Sequence, residues 1–417
     1  MFDITVAEAP PPDTWHSSVR FYELKRRDGT LIGSFFTDLY ARPNKRGGAW
    51  MGGAVSRAKL NGHAQTPVAH LVCNFNAPAG TTPSLLTHSD VVTVFHEFGH
   101  ALHHLLTEVD YPSLAGTNGV AWDAVELPSQ FLENFAWRPE MLAEIGRHYE
   151  SGAPLPSDKI DTLKRSRTFL SGLAMVRQLE FALFDFRLHE EYSPERGSRV
   201  LEVLDEVRRE VAVVEPPPFN RFAHSFGHVF GGGYAAGYYS YKWAEVLAAD
   251  AFAAFEEAGV FDRATAERFR RAVLATGGSR KALDAFVDSF REEQPLPDTG
   301  TLRGDLLSAL HAWVRAVTQT AMGPMLTGLI AEAQYDPELR GAWRDRVLEP
   351  LREQHRVMLD RAIARGEIAA SVDRDVVLDL FFGAAEHRLL LGHLPMTGEF
   401  IADVVDMILD GVPRPEA

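Results

Sequence analysis

The 417-residue sequence predicts a mainly α fold with a small β-sheet, followed by an all-α helical bundle. Three observations carry this expectation. Residues 19–27, 31–39 and 68–75 are short runs rich in Val, Ile, Leu, Phe and Tyr, the residues that suit a pleated, half-buried surface. From Asp90 onward the apolar residues recur almost throughout at helical spacing. At Gln294-Pro-Leu-Pro-Asp-Thr-Gly300 the chain meets its clearest boundary, and composition then shifts: residues 301–417 hold 12 arginines, 18 acidic residues and no lysine.

The elements follow in order. VRFYEL and IGSFFTDLY flank Asp28-Gly29 and predict a hairpin, and VAHLVCNF predicts a further strand. Helices are expected at about 90–108, 128–150, 158–191, 197–212, 234–258, 262–275 and 279–291, with breaks at Gly152–Pro154, Glu215–Pro218 and Gly277-Gly278. After the boundary they are expected at about 303–321, 325–335, 338–365, 374–391 and 398–411, punctuated by Pro324, Asp336-Pro337, Gly366 and Pro395. The expected division is therefore residues 1–292, a linker at 293–300, and a helical domain at 301–417. A formal net charge of −15 argues against nucleic acid and anionic membranes as partners. With one cysteine, Cys73, no intramolecular disulfide can form, and no run of 18 apolar residues or signal-like N-terminus is present. A cytoplasmic location is the resulting expectation.

The run His96-Glu-Phe-Gly-His100 is the most informative in the chain. At about 100° per residue its two imidazoles lie some 40° apart on one helix face, so both can reach one ion. Glu97 stands beside that ion without needing to bind it, where a general base for metal-bound water belongs. The bland reading is a solvated helix, but Val91, Val92, Val94, Phe95, Phe98, Ala101, Leu102, Leu105 and Leu106 make this one apolar. Buried histidines and a glutamate need partners, and one divalent ion satisfies them. Thr87 and Asp90 supply a T-x-x-D helix start.

A catalytic zinc takes a third protein ligand. Glu126, 30 residues after His96, is a candidate, and Asp123 and Glu133 compete with it. Later, His228 precedes Gly231-Gly-Gly-Tyr234-Ala-Ala-Gly-Tyr238-Tyr-Ser-Tyr241, which matches neither nucleotide-binding glycine pattern. The glycines read as a hinge opening a helix on which Tyr234, Tyr238 and Tyr241 form one stripe. Core packing is the ordinary meaning of such a stripe. Three phenol hydroxyls are hard to bury without partners, which favours a polar site supplying neutral donors to an oxyanion.

HEFGHALHH, WDAVELPSQFLENFAW and HSFGHVFGGGYAAGYYSYKW together closely resemble the thimet oligopeptidase and oligopeptidase A family of zinc metallopeptidases. DLYARPNKRGGAW and LVCNFNAP are similar to the same family's catalytic region, so the resemblance runs from about residue 1 to 290. It implies a zincin-like metallopeptidase catalytic domain with one Zn²⁺ ion. His96, His100 and Glu126 would be its ligands and Glu97 the general base. His228, Tyr234, Tyr238 and Tyr241 would bind substrate and stabilise the tetrahedral intermediate. Members of that family carry a large helical region ahead of this part, forming the other wall of a deep channel, and the resemblance leads to the expectation that most of that wall is missing here. They also end soon after a segment like GGSRKALDAFVDSF, whereas about 120 residues follow it here.

Those later residues, from LPDTGTLRGDLLSALHAWVRAV to AEHRLLLG, resemble the C-terminal ligand-binding and dimerisation domain of TetR-type regulators. The resemblance implies a possible homodimer through 301–417. Peptidase-like sequence stands where that family's DNA-binding helices would be. His311, His355, His387 and His393 are read as lining helix faces or a pocket. The expected function is zinc-dependent endopeptidase action on short peptide substrates. The alternative is a dimeric small-molecule-binding helical domain carrying an inert peptidase part, without DNA binding.

Overall fold

The structure is a computed structural model describing residues 1–214, 216–282, 284–285, 296–319 and 322–411. Its described residues group into two compact units, Met1–Arg291 and Glu292–Ala417.

The first unit opens with strands β1 (Ile4–Ala9), β2 (Arg20–Arg26), β3 (Leu31–Tyr40), β4 (Trp50–Val55), β5 (Ala58–Leu60), β6 (His63–Gln65) and β7 (Val68–Phe75). Five of them form a sheet in the order β1-β2-β3-β7-β4, and β5 and β6 pair separately. The expected hairpin is present: β2 and β3 are antiparallel around Asp28-Gly29, where Gly29 takes φ 88° and Asp28 Oδ1 accepts from the Thr30 amide at 2.9 Å. β7 lies parallel to β3, leaving β4 antiparallel at the sheet edge.

Helix α1 (His88–Leu105) begins where the sequence places its start. The Thr87 hydroxyl accepts from the Asp90 amide, and the Asp90 carboxylate accepts from the Thr87 amide at 2.9 Å, a reciprocal cap. On one side Leu102 and Leu105 pack with Leu24, Phe35 and Ala69 of the sheet. On the other, α1 meets α3 (Leu127–Glu133), which follows the short helix α2 (Trp122–Val125). Gly99 makes that approach possible. A Cβ there would sit 2.4 Å from the Pro128 carbonyl oxygen, inside any real contact. Phe131 of α3 then stacks on Phe269 at 3.9 Å, tying the site-bearing helices to the main core.

Several expected helices are interrupted. The span 128–150 divides into α3, a 3₁₀ turn at Asn134–Trp137 and α4 (Pro139–Ile145), because Arg138 precedes proline and is extended at φ −82°, ψ 132°. The span 158–191 becomes α5 (Ser157–Ser166) and α6 (Ser171–Glu190), with left-handed Leu170 at the break. Helix α7 (Val200–Val211) and the single turns α8 (Phe222–Ser225) and α9 (Gly227–Gly231) lead to α10 (Ser240–Ala258). That helix starts six residues later than the expected 234. Helix α11 (Arg263–Phe269) runs into a π turn, Arg270–Leu274. Most of the helix expected at 279–291, and residues 293–295 of the expected linker, lie outside the described residues.

Among the described residues, the regular elements of the second unit are all helical: Leu302–Gln319, Met322–Ala333, Pro337–Trp343, Glu349–Ala364, Arg374–Leu391 and Gly398–Gly411. The span expected at 338–365 is broken by a π turn at Arg344–Leu348, just before Pro350, whose missing N–H cannot continue an α ladder. Leu306, Leu310, Met358, Leu359, Phe381 and Val405 form its core. Among the described residues, no helix of either unit is long and apolar enough to cross a membrane.

Candidate metal centre

Adjacent turns of α1 hold the His96 and His100 rings with centroids 5.0 Å apart. Their Nε2 atoms reach one oxygen: Glu126 Oε2 lies 3.2 Å from His96 and 3.0 Å from His100. All three potential donors lie within 4.8 Å of one another. Glu126 occupies the junction of α2 and α3, so the close approach permitted by Gly99 is what brings it to α1. The set fits a zinc ion: two imidazole nitrogens and one carboxylate oxygen are its ordinary donors. Donor separations of 3.0 and 3.2 Å are near the ~3.4 Å edge of a tetrahedron with ~2.1 Å bonds.

The competing carboxylates separate by position. Glu133 does not join the three; its Oε1 contacts His96 Nδ1 at 2.6 Å and so fixes the ring from the far side. Asp123 supplies no atom to the group. Ser129 was not singled out by the sequence, yet its hydroxyl donates to Glu126 Oε2 at 2.8 Å. Its signal was the i+3 spacing from Glu126. Tyr234 donates its hydroxyl to the other oxygen, Oε1.

The electrostatics follow from this packing. Burial opposes ionisation of Glu126, but the two histidines outweigh it and hold the carboxyl well below its usual range. Burial also opposes charge on His96, yet Glu126 and Glu133 overcome it and raise that imidazole to about 10. Both shifts describe one tightly bound acid–base group that a cation can replace a proton in. Glu97 shifts the other way. Burial raises its pKa against the pull of His96, His100 and the Met51 amide of edge strand β4. It is only 5% exposed, and its Oε2 has no hydrogen-bond partner.

The tyrosine segment departs from its expected helix. Residues 232–234 are bent or irregular and 235–239 form turns, with Gly233 at φ 88° and Ala236 at φ 53°, before α10 begins. Tyr234 nevertheless reaches the centre, stacks on Tyr241 at 5.1 Å and abuts Trp122 at 4.6 Å. Gly233 is favoured here twice: its backbone is left-handed, and a Cβ would crowd the Trp122 ring at 3.2 Å. His228 lies edge-on to all three tyrosines, its ring centre 5.5–5.9 Å from theirs. Tyr238 is packed with Phe184, Phe226 and Val203, and its hydroxyl donates to Gln178 Oε1 at 3.0 Å. Burial, and then the Glu126 charge, push Tyr234 and Tyr241 far above the ordinary phenol range. Burial pushes Tyr238 up to about 12 and lowers His228.

A helix-borne pair of histidines closed by a carboxylate from the next helices, beside a five-stranded mixed sheet, defines a zincin-like peptidase domain. Residues 1–302 match the family model described as Peptidase family M3, and the chain belongs to that family. It is 52% identical over 299 residues to Oligopeptidase A of Escherichia coli (strain K12), covering 72% of this chain and 44% of that protein. It is 46% identical over 316 residues to the Organellar oligopeptidase A, chloroplastic/mitochondrial, of Arabidopsis thaliana, covering 74% of this chain and 40% of the relative. The chain thus spans less than half the length of these relatives. Residues 296–408 match the Tetracyclin repressor-like, C-terminal domain, which bears out the second resemblance. Among solved structures, a crystal structure of a TetR family transcription regulator aligns with a TM-score of 0.30 at 32% identity, covering 38% of this chain and 86% of that one.

Proposed function

We propose that residues 1–292 form a zinc-dependent metalloendopeptidase domain acting on short peptides, joined through 293–300 to a TetR-type helical domain at 301–417. The observation that carries this is the convergence of His96, His100 and Glu126 on one point, beside a buried Glu97 oxygen with no partner. Those three residues would hold the ion. Zinc bound there would supply a Lewis acid that polarises a peptide carbonyl and lowers the pKa of a coordinated water.

The chain's own groups do the rest. Glu97 accepts a proton at Oε2 from the attacking water and returns it to the departing amine nitrogen; burial, by raising its pKa, suits it to both transfers. Glu133 and Ser129 orient His96 and Glu126. Tyr234 and Tyr241 stay protonated and offer neutral donors to the developing oxyanion, Tyr234 after exchanging its present acceptor, Glu126. His228 binds substrate at the same face. Tyr238 contributes by bracing His228, since its own hydroxyl is held by Gln178.

The test is zinc content by mass spectrometry together with cleavage of a quenched fluorescent peptide. One zinc per chain is expected, with Glu97→Gln retaining metal and losing turnover by about 10²–10⁴-fold. Equal turnover in the variant, or folded protein that binds no zinc, refutes the reading.

A second reading concerns the helical unit. Helix Arg374–Leu391 leaves Val376, Leu380 and Leu391 more than half exposed, beside an open groove of about 550 Å³ lined by Gly383, Ala384, His387 and Leu394. An apolar face of this kind supports a homodimer through 301–417, with or without peptidase action. Sedimentation of the full chain tests it: a dimer that Leu380→Glu dissociates is expected, and a monomeric wild type counts against it.

A further inference from the structure

Asp185 lies on α6, in an apolar run FALFDFRL, and is completely buried. Sequence reading gave it no role. A carboxylate so placed must be paired, and here its partners are the backbone of the tyrosine turn. Oδ1 accepts from the Ala236 amide and Oδ2 from the Tyr238 amide, each at 2.9 Å. His189, one helical turn further on, brings Nδ1 to 3.1 Å of Oδ1 and 2.7 Å of the Asp185 carbonyl oxygen.

The turn needs this clamp. Ala236 sits at φ 53°, a left-handed conformation that costs an alanine free energy, and Gly233 beside it is also left-handed. Few backbone bonds span the segment; the turn amides of Tyr234 and Gly237 find His228 O and Tyr234 O. At its start Tyr234 reaches Glu126, and at its end Tyr238 braces His228. The two Asp185 bonds are made 51 and 53 residues away in sequence, so they fix the turn to a separate helix.

We propose that Asp185 is a positioning residue that holds residues 233–239 in the conformation presenting Tyr234 and His228 to the metal centre. The role in turnover rests on the peptidase reading above; the clamp itself does not. Asparagine at 185 keeps one acceptor and turns an amide donor toward a backbone N–H, so one bond is lost and replaced by a repulsion.

The experiment is hydrogen exchange on the full zinc-loaded chain, with zinc content and peptide kinetics measured in parallel. In the wild type, the Ala236 and Tyr238 amides are expected to be protected at least ~100-fold over free-chain exchange. Free-chain rates there overturn the proposal whatever the variants do. In Asp185→Asn, peptides covering 231–241 are expected to exchange at least ~10-fold faster, while 88–105 and the zinc content are unchanged. Turnover should fall ~10-fold or more in kcat with KM within about threefold. Adding Ala236→Gly, which removes the left-handed penalty, should recover part of both losses. His189→Ala, which leaves the two turn bonds in place, should change exchange in 231–241 less than twofold. Unaltered exchange in 231–241 of folded Asp185→Asn refutes the clamp. A wild type that binds zinc but cleaves no peptide refutes the peptidase reading alone, since the exchange result still decides the clamp.

Discussion

Replacing Gly99 by alanine sets two well-known effects against each other. On a helix interior, Gly→Ala gains about 1 kcal/mol from backbone propensity. At Gly99 the added Cβ would stand 2.4 Å from Pro128 O and 2.5 Å from Ser129 Cα. Both are backbone atoms, so no side chain can rotate away. Reaching an ordinary contact requires α3 to retreat by about 1 Å, and overpacking of this kind costs about 1–3 kcal/mol. Two rigid backbone contacts put the cost at the upper end of that range, so the clash outweighs propensity and a net destabilisation of up to about 2 kcal/mol is expected. The sharper consequence is local. Pro128 and Ser129 lie two and three residues beyond Glu126, so the retreat carries that carboxylate, the third donor, away from His96 and His100. Zinc affinity should fall about 10–100-fold, the scale seen when the supports of metal ligands are disturbed. Thermal unfolding of metal-free protein measures the first effect, and competition with a chromophoric chelator measures the second. A variant that is more stable than wild type and binds zinc equally well would show that α1 and α3 do not meet as described.

Two further outcomes are expected. Glu133→Gln removes the charge from the 2.6 Å contact with His96 Nδ1 and should weaken zinc binding about 10-fold or more without altering the helix content read by circular dichroism. His103, at the end of α1, is fully buried with neither ring nitrogen bonded, and burial lowers its pKa from 6.5 to about 3. The unfolded chain then binds the proton that the folded chain refuses. Stability from this group is present above about pH 6.5 and is lost as pH falls toward 3. At pH 5 the loss is about 2 kcal/mol, so metal-free His103→Met should gain about that much relative to wild type between pH 7.5 and 5 in urea unfolding. A difference between the two proteins that stays flat with pH refutes it.

What was legible in the sequence was what short-range geometry determines. His96 and His100 are four residues apart, and one turn of helix is enough to align them. The Thr87–Asp90 cap is likewise complete within four residues. Asp28-Gly29 fixes its hairpin by local turn chemistry. Strand β4 escaped notice because WMGGAV has neither alternation nor β-branched enrichment; it is a strand because β7 offers it a partner. The breaks at Arg138 and before Pro350 were readable from proline chemistry, but apolar periodicity ran across them and masked the signal.

The tyrosine segment shows why the rest was hidden. Tyr234, Tyr238 and Tyr241 have helical spacing, and that spacing pointed to a helix that begins only at Ser240. What overrides it is a pair of hydrogen bonds that the Ala236 and Tyr238 amides donate to Asp185, more than 50 residues earlier, and a left-handed Gly233 packed closely on the Trp122 ring. Had the stripe been a helix, all three phenols would share one face. The turn instead divides them, sending the Tyr234 hydroxyl to Glu126 and the Tyr238 hydroxyl to Gln178. Spacing therefore pointed to a helix where long-range contacts impose a turn. Donors at the centre are selected by long-range contacts, and Glu126 belongs with them, because Gly99 admits it to α1 only once α3 has docked.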